Sequence, residues 1–100
     1  MNHINSPADL EKVLGQPKAL VAFWAPWCGP CRQFAPVLEA FAAQTPQVYV
    51  AKANVDEQPG LATALEVRSI PMVVYFQNGE YAGHLMGGRT LSELVTLTAD

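Results

Sequence analysis

The two cysteines of the chain stand three positions apart, at Cys28 and Cys31. A cysteine thiolate can attack a disulfide, and it can also bind a metal ion. A strand-like apolar run precedes this pair and a helix-like pattern follows it. That order would place Cys28 at a helix N-terminus, where free backbone N–H groups and the helix dipole stabilise a thiolate. The arrangement therefore favours exchange of electrons with disulfides.

Two other interpretations of the cysteine pair are less favoured. A structural zinc site needs four ligands, and only His3 and His84 could add imidazole nitrogen atoms. Both histidines lie near the chain ends without ligand-like spacing, so we expect them on the surface and predict no metal. A pair of inert buried cysteines is disfavoured because the intervening Gly29 and Pro30 are not needed for core packing.

The position of each thiol predicts its role. Cys28, at the start of the helix, should be the more exposed thiol and should ionise more readily, so we expect it to be the nucleophile. Cys31, one turn further on, should be more buried and would resolve the mixed disulfide formed on Cys28. Gly29 would allow close approach of a partner backbone, and Pro30 would stiffen the loop. Arg32 would add either positive potential at the thiolate or an ordinary solvated charge.

The composition predicts one folded domain over residues 1–100 and disfavours several functional classes. Half of the residues are hydrophobic and 15% are charged, as in compact domains. The net charge of -3 and the lack of a basic run argue against nucleic acid as a partner. The first residues do not resemble a signal peptide, and no apolar stretch reaches transmembrane length. We therefore expect no membrane association and a cytoplasmic location, where disulfides are more often catalytic than structural.

Hydrophobic periodicity predicts strands that alternate with helices. The predicted strands span residues 18–25, 48–55, 72–77 and 80–86, with a weak further strand near residues 3–4. The predicted helices span residues 7–14, the segment after the cysteine pair, residues 59–66 with Asp56 near the start, and the segment after Thr90. The second helix carries an apolar stripe from Cys31 to Ala42, and Thr90 and Glu93 form a capping box before the last helix. Pro36 predicts a kink in the second helix, and Asn78-Gly79 predicts a hairpin. This order indicates an α/β fold whose central mixed sheet of four to five strands has helices on both faces.

The segment FWAPWCGPC, residues 23–31, resembles the active site of the thioredoxins. Further matching positions follow in the family's order at Pro36, Lys52, Ile70-Pro71, Asn78-Gly79 and Gly87. The resemblance implies the thioredoxin fold, a monomer, no bound cofactor, and reduction of disulfide-containing proteins. It also implies that an NADPH-dependent thioredoxin reductase returns the cysteines to the dithiol. The Gly-Pro dipeptide between the cysteines resembles that of the reducing members.

The same resemblance implies a substrate groove opposite the cysteines. In the family, the bond matching Ile70–Pro71 is cis, and the residue before the proline pairs with bound substrate through its backbone. The residues implied in substrate binding are Trp27, Gly29, Pro30, Ile70, Pro71 and Gly87. Met72 stands where a threonine is common, which would make the groove more apolar and adaptable.

Ala22 departs from the family pattern. Thioredoxins usually carry a buried aspartate at this position, which relays a proton for the second cysteine. Lys52, whose family counterpart lies near that carboxylate, would lose its partner and would either reach solvent or deprotonate more readily. We therefore expect slower proton transfer at Cys31, with the dithiol chemistry intact.

Two alternative functions stay open on the sequence. The protein could be a dedicated electron donor or a thiol oxidant for one partner, which a measured reduction potential and a partner screen would distinguish. It could also be a binding or chaperone-like module on the same fold, with incidental redox activity. Function that survives replacement of both cysteines by serine would favour the binding module.

Overall fold

The computed structural model describes residues 1–99 and contains a five-stranded mixed sheet with four helices. In chain order, the elements are β1 (Asn2–His3), α1 (Pro7–Leu14), β2 (Lys18–Trp24), α2 (Gly29–Gln44), β3 (Tyr49–Asn54), α3 (Pro59–Ala64), β4 (Met72–Gln77), β5 (Glu80–Met86) and α4 (Leu91–Thr98). The predicted α/β order is confirmed, and the bounds of the strands and of the third helix differ from the predicted ones by at most two residues.

The strand order across the sheet is β1-β3-β2-β4-β5. The first three strands in this order are parallel, and β4 and β5 add antiparallel pairs. β2 lies at the centre, and its residues 19–23 are all buried. The chain leaves the carboxyl end of β2 and enters α2 through the segment that carries both cysteines, so the most buried strand of the sheet positions the pair.

Two hydrophobic clusters fill the space on either side of the sheet. Val21 and Phe23 of β2 pack on the side of α1 and α3. Leu20 and Ala22 pack on the side of α2 and α4. This alternation follows from the strand period of two, and it confirms that helices cover both faces.

α2 presents the predicted apolar stripe to the sheet. Its buried residues are Cys31, Phe34, Leu38 and Phe41. Pro36 lies inside the helix. Since proline has no N–H group, the carbonyl of Arg32 receives no helical hydrogen bond from it. The kink at Pro36 stays a prediction.

The β4–β5 hairpin turns at Asn78 and Gly79, as predicted. Both residues have positive φ, of 52° and 80°. A Cβ atom on Gly79 would lie 2.8 Å from the carbonyl oxygen of Leu14, at the end of α1. Glycine therefore satisfies both the turn geometry and the close packing of the hairpin on α1.

α4 begins with the predicted capping box. The Thr90 hydroxyl accepts from the Glu93 N–H group, and the Glu93 carboxylate accepts from the Thr90 N–H group. The Thr90 backbone N–H group, followed by the guanidinium of Arg89, holds the pKa of Glu93 below its ordinary value. An acid with a lowered pKa in the folded state adds stability that is lost as the pH falls through that pKa.

Glu93→Gln should therefore lower the free energy of unfolding at neutral pH, and this deficit should be smaller at about pH 3, below the ordinary pKa of a glutamate. Urea unfolding at both pH values measures the effect. Glu39→Gln, at an exposed position of α2, is the control with the same change in net charge. A deficit that is equal at both pH values would contradict the assignment to the charged carboxylate.

Candidate redox site

Cys28 and Cys31 form a disulfide at the junction of β2 and α2. Their Cα atoms lie 5.3 Å apart. Cys28 is the N-cap of α2, and its Sγ atom accepts from the Cys31 N–H group at 3.2 Å. The first sulfur thus faces the free N–H groups of a helix start, which can stabilise a negative charge there.

The expected difference in exposure between the two cysteines was wrong for this disulfide form. Both residues are 5% exposed. They pack with Ala25 in a small apolar cluster that Trp24, Val55 and Ile70 border. Burial alone therefore does not distinguish the two sulfur atoms. Cys28 differs from Cys31 because it occupies the N-cap position of α2.

A second segment faces the disulfide from the start of β4. The Ile70–Pro71 peptide bond is cis, as the family resemblance predicted. The Ile70 carbonyl oxygen lies 3.8 Å from the Cys28 Sγ atom. The Gly87 N–H group donates to the Pro71 carbonyl oxygen at 2.8 Å, and Gly87 has a φ of 80°. The disulfide, the cis-proline loop and the end of β5 therefore meet at one edge of the sheet.

Trp27 is exposed, yet its indole ring is held in place. Its Nε1 atom donates to the Asp56 carboxylate at 2.8 Å, and the Asp56 N–H group donates to the Asn54 side chain at 2.9 Å. Sequence reasoning placed Asp56 near the start of α3 and missed this contact. The contact depends on the β2–β3 register, in which Trp24 and Asn54 are partners at the ends of adjacent parallel strands, and no local pattern in the sequence indicates it. The residues after them consequently emerge side by side.

Arg32 closes the loop that carries the first cysteine. Its Nη1 atom donates to the Pro26 carbonyl oxygen at 2.8 Å. Its Nη2 atom lies 3.9 Å from where a Cβ atom on Gly29 would stand. The guanidinium therefore lies across the loop, and the first turn of α2 contains no acidic residue to offset its charge.

Arg32→Gln should slow alkylation of Cys28 in the reduced protein, because a nearby cation favours the reactive thiolate. An exposed charge pair is worth about 0.2–1 kcal/mol, so we expect a factor of roughly two to five. Iodoacetamide trapping across a pH series measures the rate. Arg32→Lys keeps the charge and is the matched control. If glutamine and lysine variants slow the reaction equally, the tether to Pro26 matters and the charge does not.

Comparison with known proteins decides the family. The sequence profile of the thioredoxin family matches residues 3–100. The chain belongs to the thioredoxin family. The match spans the β2–α2 junction, the cis-proline loop and the end of β5, so every part of the redox site lies within it.

Individual relatives agree with the family assignment. The chain is 46% identical over 93 residues to an M-type chloroplast thioredoxin of Spinacia oleracea, covering 91% of this chain and 51% of that protein. It is 43% identical over 91 residues to a thioredoxin of Alicyclobacillus acidocaldarius, covering 90% of this chain and 87% of the relative. The chain thus spans about half the length of the chloroplast relative. A crystal structure of Fasciola hepatica thioredoxin superposes with a TM-score of 0.88 at 34% identity, covering 99% of this chain and all of that one.

Ala22 lies where the family resemblance places a buried aspartate. Its side chain is 3% exposed, on the sheet face that packs against α2. Lys52 is its register partner on β3 and is half-buried. The Lys52 Nζ atom lies 4.4 Å from the centre of the Trp24 ring, within the range of a cation–π contact. Neither outcome expected for Lys52 included this contact.

The indole N–H group of Trp24 is a buried hydrogen-bond donor. Among the described residues, its buried Nε1 atom has no hydrogen-bond partner. An unsatisfied buried donor costs about 1–3 kcal/mol. The indole ring thus packs between the disulfide cluster and the Lys52 ammonium at some cost in stability, and it links the two.

The remaining predicted features lie away from the disulfide. His3 and His84 are exposed, as expected. Within residues 1–99, no group of three or more His, Cys, Asp or Glu side chains is arranged to hold a metal ion. None of the helices in that part of the chain is long and apolar enough to cross a membrane.

Proposed function

We propose that this protein is a thioredoxin-type reductase of protein disulfides, with Cys28–Cys31 as its redox-active pair. One observation carries the proposal. The disulfide caps the first turn of α2 and faces the cis-proline loop, so the sulfur at the helix N-terminus meets a backbone segment that can hold a target. The family membership supports the same activity.

The reaction would proceed in two exchanges. The Cys28 thiolate attacks one sulfur of the target disulfide, which breaks that bond and releases the other target sulfur as a thiolate that takes up a proton. The Cys31 thiolate then attacks the Cys28 Sγ atom and releases the second target thiol. Two electrons pass from the dithiol to the target, and the Cys28–Cys31 disulfide is formed.

The groove would hold the target during the first exchange. Trp27 offers a fixed aromatic surface, since its indole N–H group is bound to Asp56. Ile70 would pair through its backbone with an extended target segment, beside Pro71 and Gly87. Gly29 and Pro30, the first two residues of α2, would let the target approach the sulfur closely.

The second exchange requires Cys31 to lose a proton. Here Ala22 places a methyl group where the family relays that proton through a carboxylate. The proton would therefore pass to the departing target thiolate or to solvent. We propose that this step is slower than in members with the aspartate.

The partners follow from this chemistry. We propose disulfide-containing proteins as targets, an NADPH-dependent thioredoxin reductase as electron source, and a monomer without bound cofactor as the working form. A cytoplasmic location remains our prediction; the relatives compared above include a bacterial and a chloroplast thioredoxin.

Reduction of insulin disulfides tests the proposal. The protein is supplied with electrons either by dithiothreitol or by NADPH and a thioredoxin reductase. Activity with both sources supports a general reductase. Activity with dithiothreitol alone would indicate competent cysteines with a different electron source. Inactivity with both would overturn the proposal and favour the binding module.

Ala22 also favours a second candidate, a donor dedicated to one partner or a thiol oxidant. Without the buried carboxylate, the balance between dithiol and disulfide can differ from that of a general reductant. A reduction potential well above that of general reductants would support this candidate.

A further inference from the structure

A second concave surface lies beside the redox site, between the end of α3 and the outer strand β5. Its cavity volume is about 420 Å³. The residues that line this outer pocket include Leu65, Glu66, Arg68, Met72, Tyr81, His84 and Met86. None of them except Met72 belongs to the positions compared with the family pattern above. Its apolar side chains, together with one arginine and one glutamate, suit a ligand that is neither purely apolar nor purely polar.

A β-bulge builds one wall of the outer pocket. Phe76 pairs with Tyr81 and Tyr75 pairs with Gly83, so one extra residue, Ala82, is inserted in β5. The insertion turns Tyr81 and His84, three positions apart, to the same face of the strand. The Tyr81 hydroxyl is hydrogen bonded to the His84 Nδ1 atom. These two side chains are therefore arranged before any ligand arrives.

The outer pocket adjoins the groove at the disulfide. Met86 directly precedes Gly87, whose N–H group binds Pro71, and Met86 is the register partner of Met72. The Met86 Sδ atom also lies 4.0 Å from the Ser69 hydroxyl, on the cis-proline loop. His84 lies three residues before Gly87, a distance of about 10 Å along a strand, which an extended target spans in about three residues.

The guanidinium of Arg68, beside the apolar surface, is available to a ligand. The Arg68 side chain is 86% exposed, and it lies 4.0 Å from the equally exposed Glu66 carboxylate. An exposed pair at this distance contributes little, so a second carboxylate can compete for the guanidinium. Tyr81 and Met86 are two of the few large apolar side chains that the chain exposes, and such surface marks contact sites when it is clustered.

We propose that the outer pocket is a specificity site for target proteins. It would receive an apolar side chain with a carboxylate beside it, about three to four residues from the target cysteine. The apolar group would pack on Tyr81 and Met86, and the carboxylate would bind Arg68. This inference rests on the proposed reductase function, and it names the class of target that the same site prefers.

Synthetic peptides test the preference. Each peptide carries one cysteine in a mixed disulfide with a chromogenic aromatic thiol, and a Leu-Glu or Leu-Lys pair three and four residues away, on either side. The reduced protein is mixed with each peptide, and kcat/KM is obtained from thiol release. Every rate is divided by the rate with the symmetric aromatic disulfide alone. We expect the wild type to prefer the Leu-Glu peptide on one side by about fivefold.

Two matched pairs of variants test whether Arg68 and Tyr81 cause the peptide preference. Arg68→Glu should abolish or reverse the charge preference, while Lys12→Glu, exposed on α1, changes net charge equally and should preserve it. Tyr81→Ser should lower the normalised kcat/KM for both peptides about tenfold, whereas Val95→Ser on α4 should not. Tyr81 and Val95 have comparable exposures of 58% and 47%. Arg68→Gln repeats the test should the charge reversal disturb folding.

The outcomes separate this inference from the function on which it rests. A wild type that reduces both peptides at equal normalised rates would overturn the specificity site and leave the reductase intact. Equal effects of Arg68→Glu and Lys12→Glu would also overturn it. A wild type that reduces neither the peptides nor the aromatic disulfide would overturn both proposals.

Discussion

Replacing Cys31 with serine is expected to stop turnover and to leave the target bound to Cys28 as a mixed disulfide. The serine hydroxyl of Cys31→Ser cannot attack the Cys28 Sγ atom at neutral pH, so the second exchange fails while the first proceeds. We expect insulin reduction to fall by more than about a thousandfold, as when a nucleophile is removed from a catalytic unit. Electrophoresis without reductant should show the covalent complex.

Cys28→Ser is the control for this assignment of roles. It should be equally inactive, and it should form no covalent complex, because Cys31 lacks the N-cap position of α2 that stabilises a thiolate at Cys28. A complex that forms with Cys28→Ser and is missing with Cys31→Ser would reverse the roles of the two cysteines. Both serine variants keep the size of the side chain, so differences in folding should be small.

Ala22→Asp is expected to accelerate the second exchange and to destabilise the fold. The new carboxylate would lie beside Lys52, its register partner, on the sheet face that packs against α2. There it could accept the proton of Cys31, as the family pattern implies. A buried ion pair is commonly less stable than well-packed apolar residues by about 1–4 kcal/mol, which sets the expected loss in the free energy of unfolding.

Ala22→Asn separates the carboxylate from the larger side chain. The asparagine variant should lose stability through its polar buried amide and should gain no rate. Rapid-mixing measurement of mixed-disulfide resolution across a pH series gives the rate, and urea unfolding gives the stability. If the rate and its pH profile are unchanged in Ala22→Asp, the proton-relay interpretation is wrong for this protein.

Ala22→Asp also allows the interaction between positions 22 and 52 to be measured. Its ammonium lies over Trp24 and would have to turn toward a carboxylate at position 22. Lys52→Met is combined with the wild-type Ala22 and with Ala22→Asp, and the difference between its effects in the two proteins gives the coupling energy between positions 22 and 52. We expect strong coupling with aspartate and little with alanine, since in the wild-type protein the ammonium contacts the aromatic ring.

Much of the fold was predictable because local patterns and tertiary structure agree. The apolar run at residues 18–25 is the central strand, the Asn78-Gly79 turn has the expected positive φ values, and Thr90 caps α4 as its spacing with Glu93 predicts. Each of these signals depends on neighbours within a few positions. The site was predictable for a different reason, since its cysteines and cis-proline loop carry the family resemblance.

The rest depends on contacts between distant segments, which no local pattern encodes. The hydrogen bond from Trp27 to Asp56 joins residues 29 positions apart, and the contact of Lys52 with Trp24 needs the β2–β3 register. The pairing of Tyr81 with His84 needs a bulge, which shifts the alternation of β5 by one residue. The equal burial of the two cysteines arises from packing by Ala25 and its neighbours.

The bulge in β5 also bears on self-association through the edges of the sheet. The outer strands of a sheet leave N–H and C=O groups unpaired, and a straight edge can recruit strands from other molecules and aggregate. Here one edge strand, β1, has only two residues, and the other is twisted by the extra Ala82. Neither edge offers a long template. Contact with strands of other molecules should therefore not propagate along either edge of the sheet.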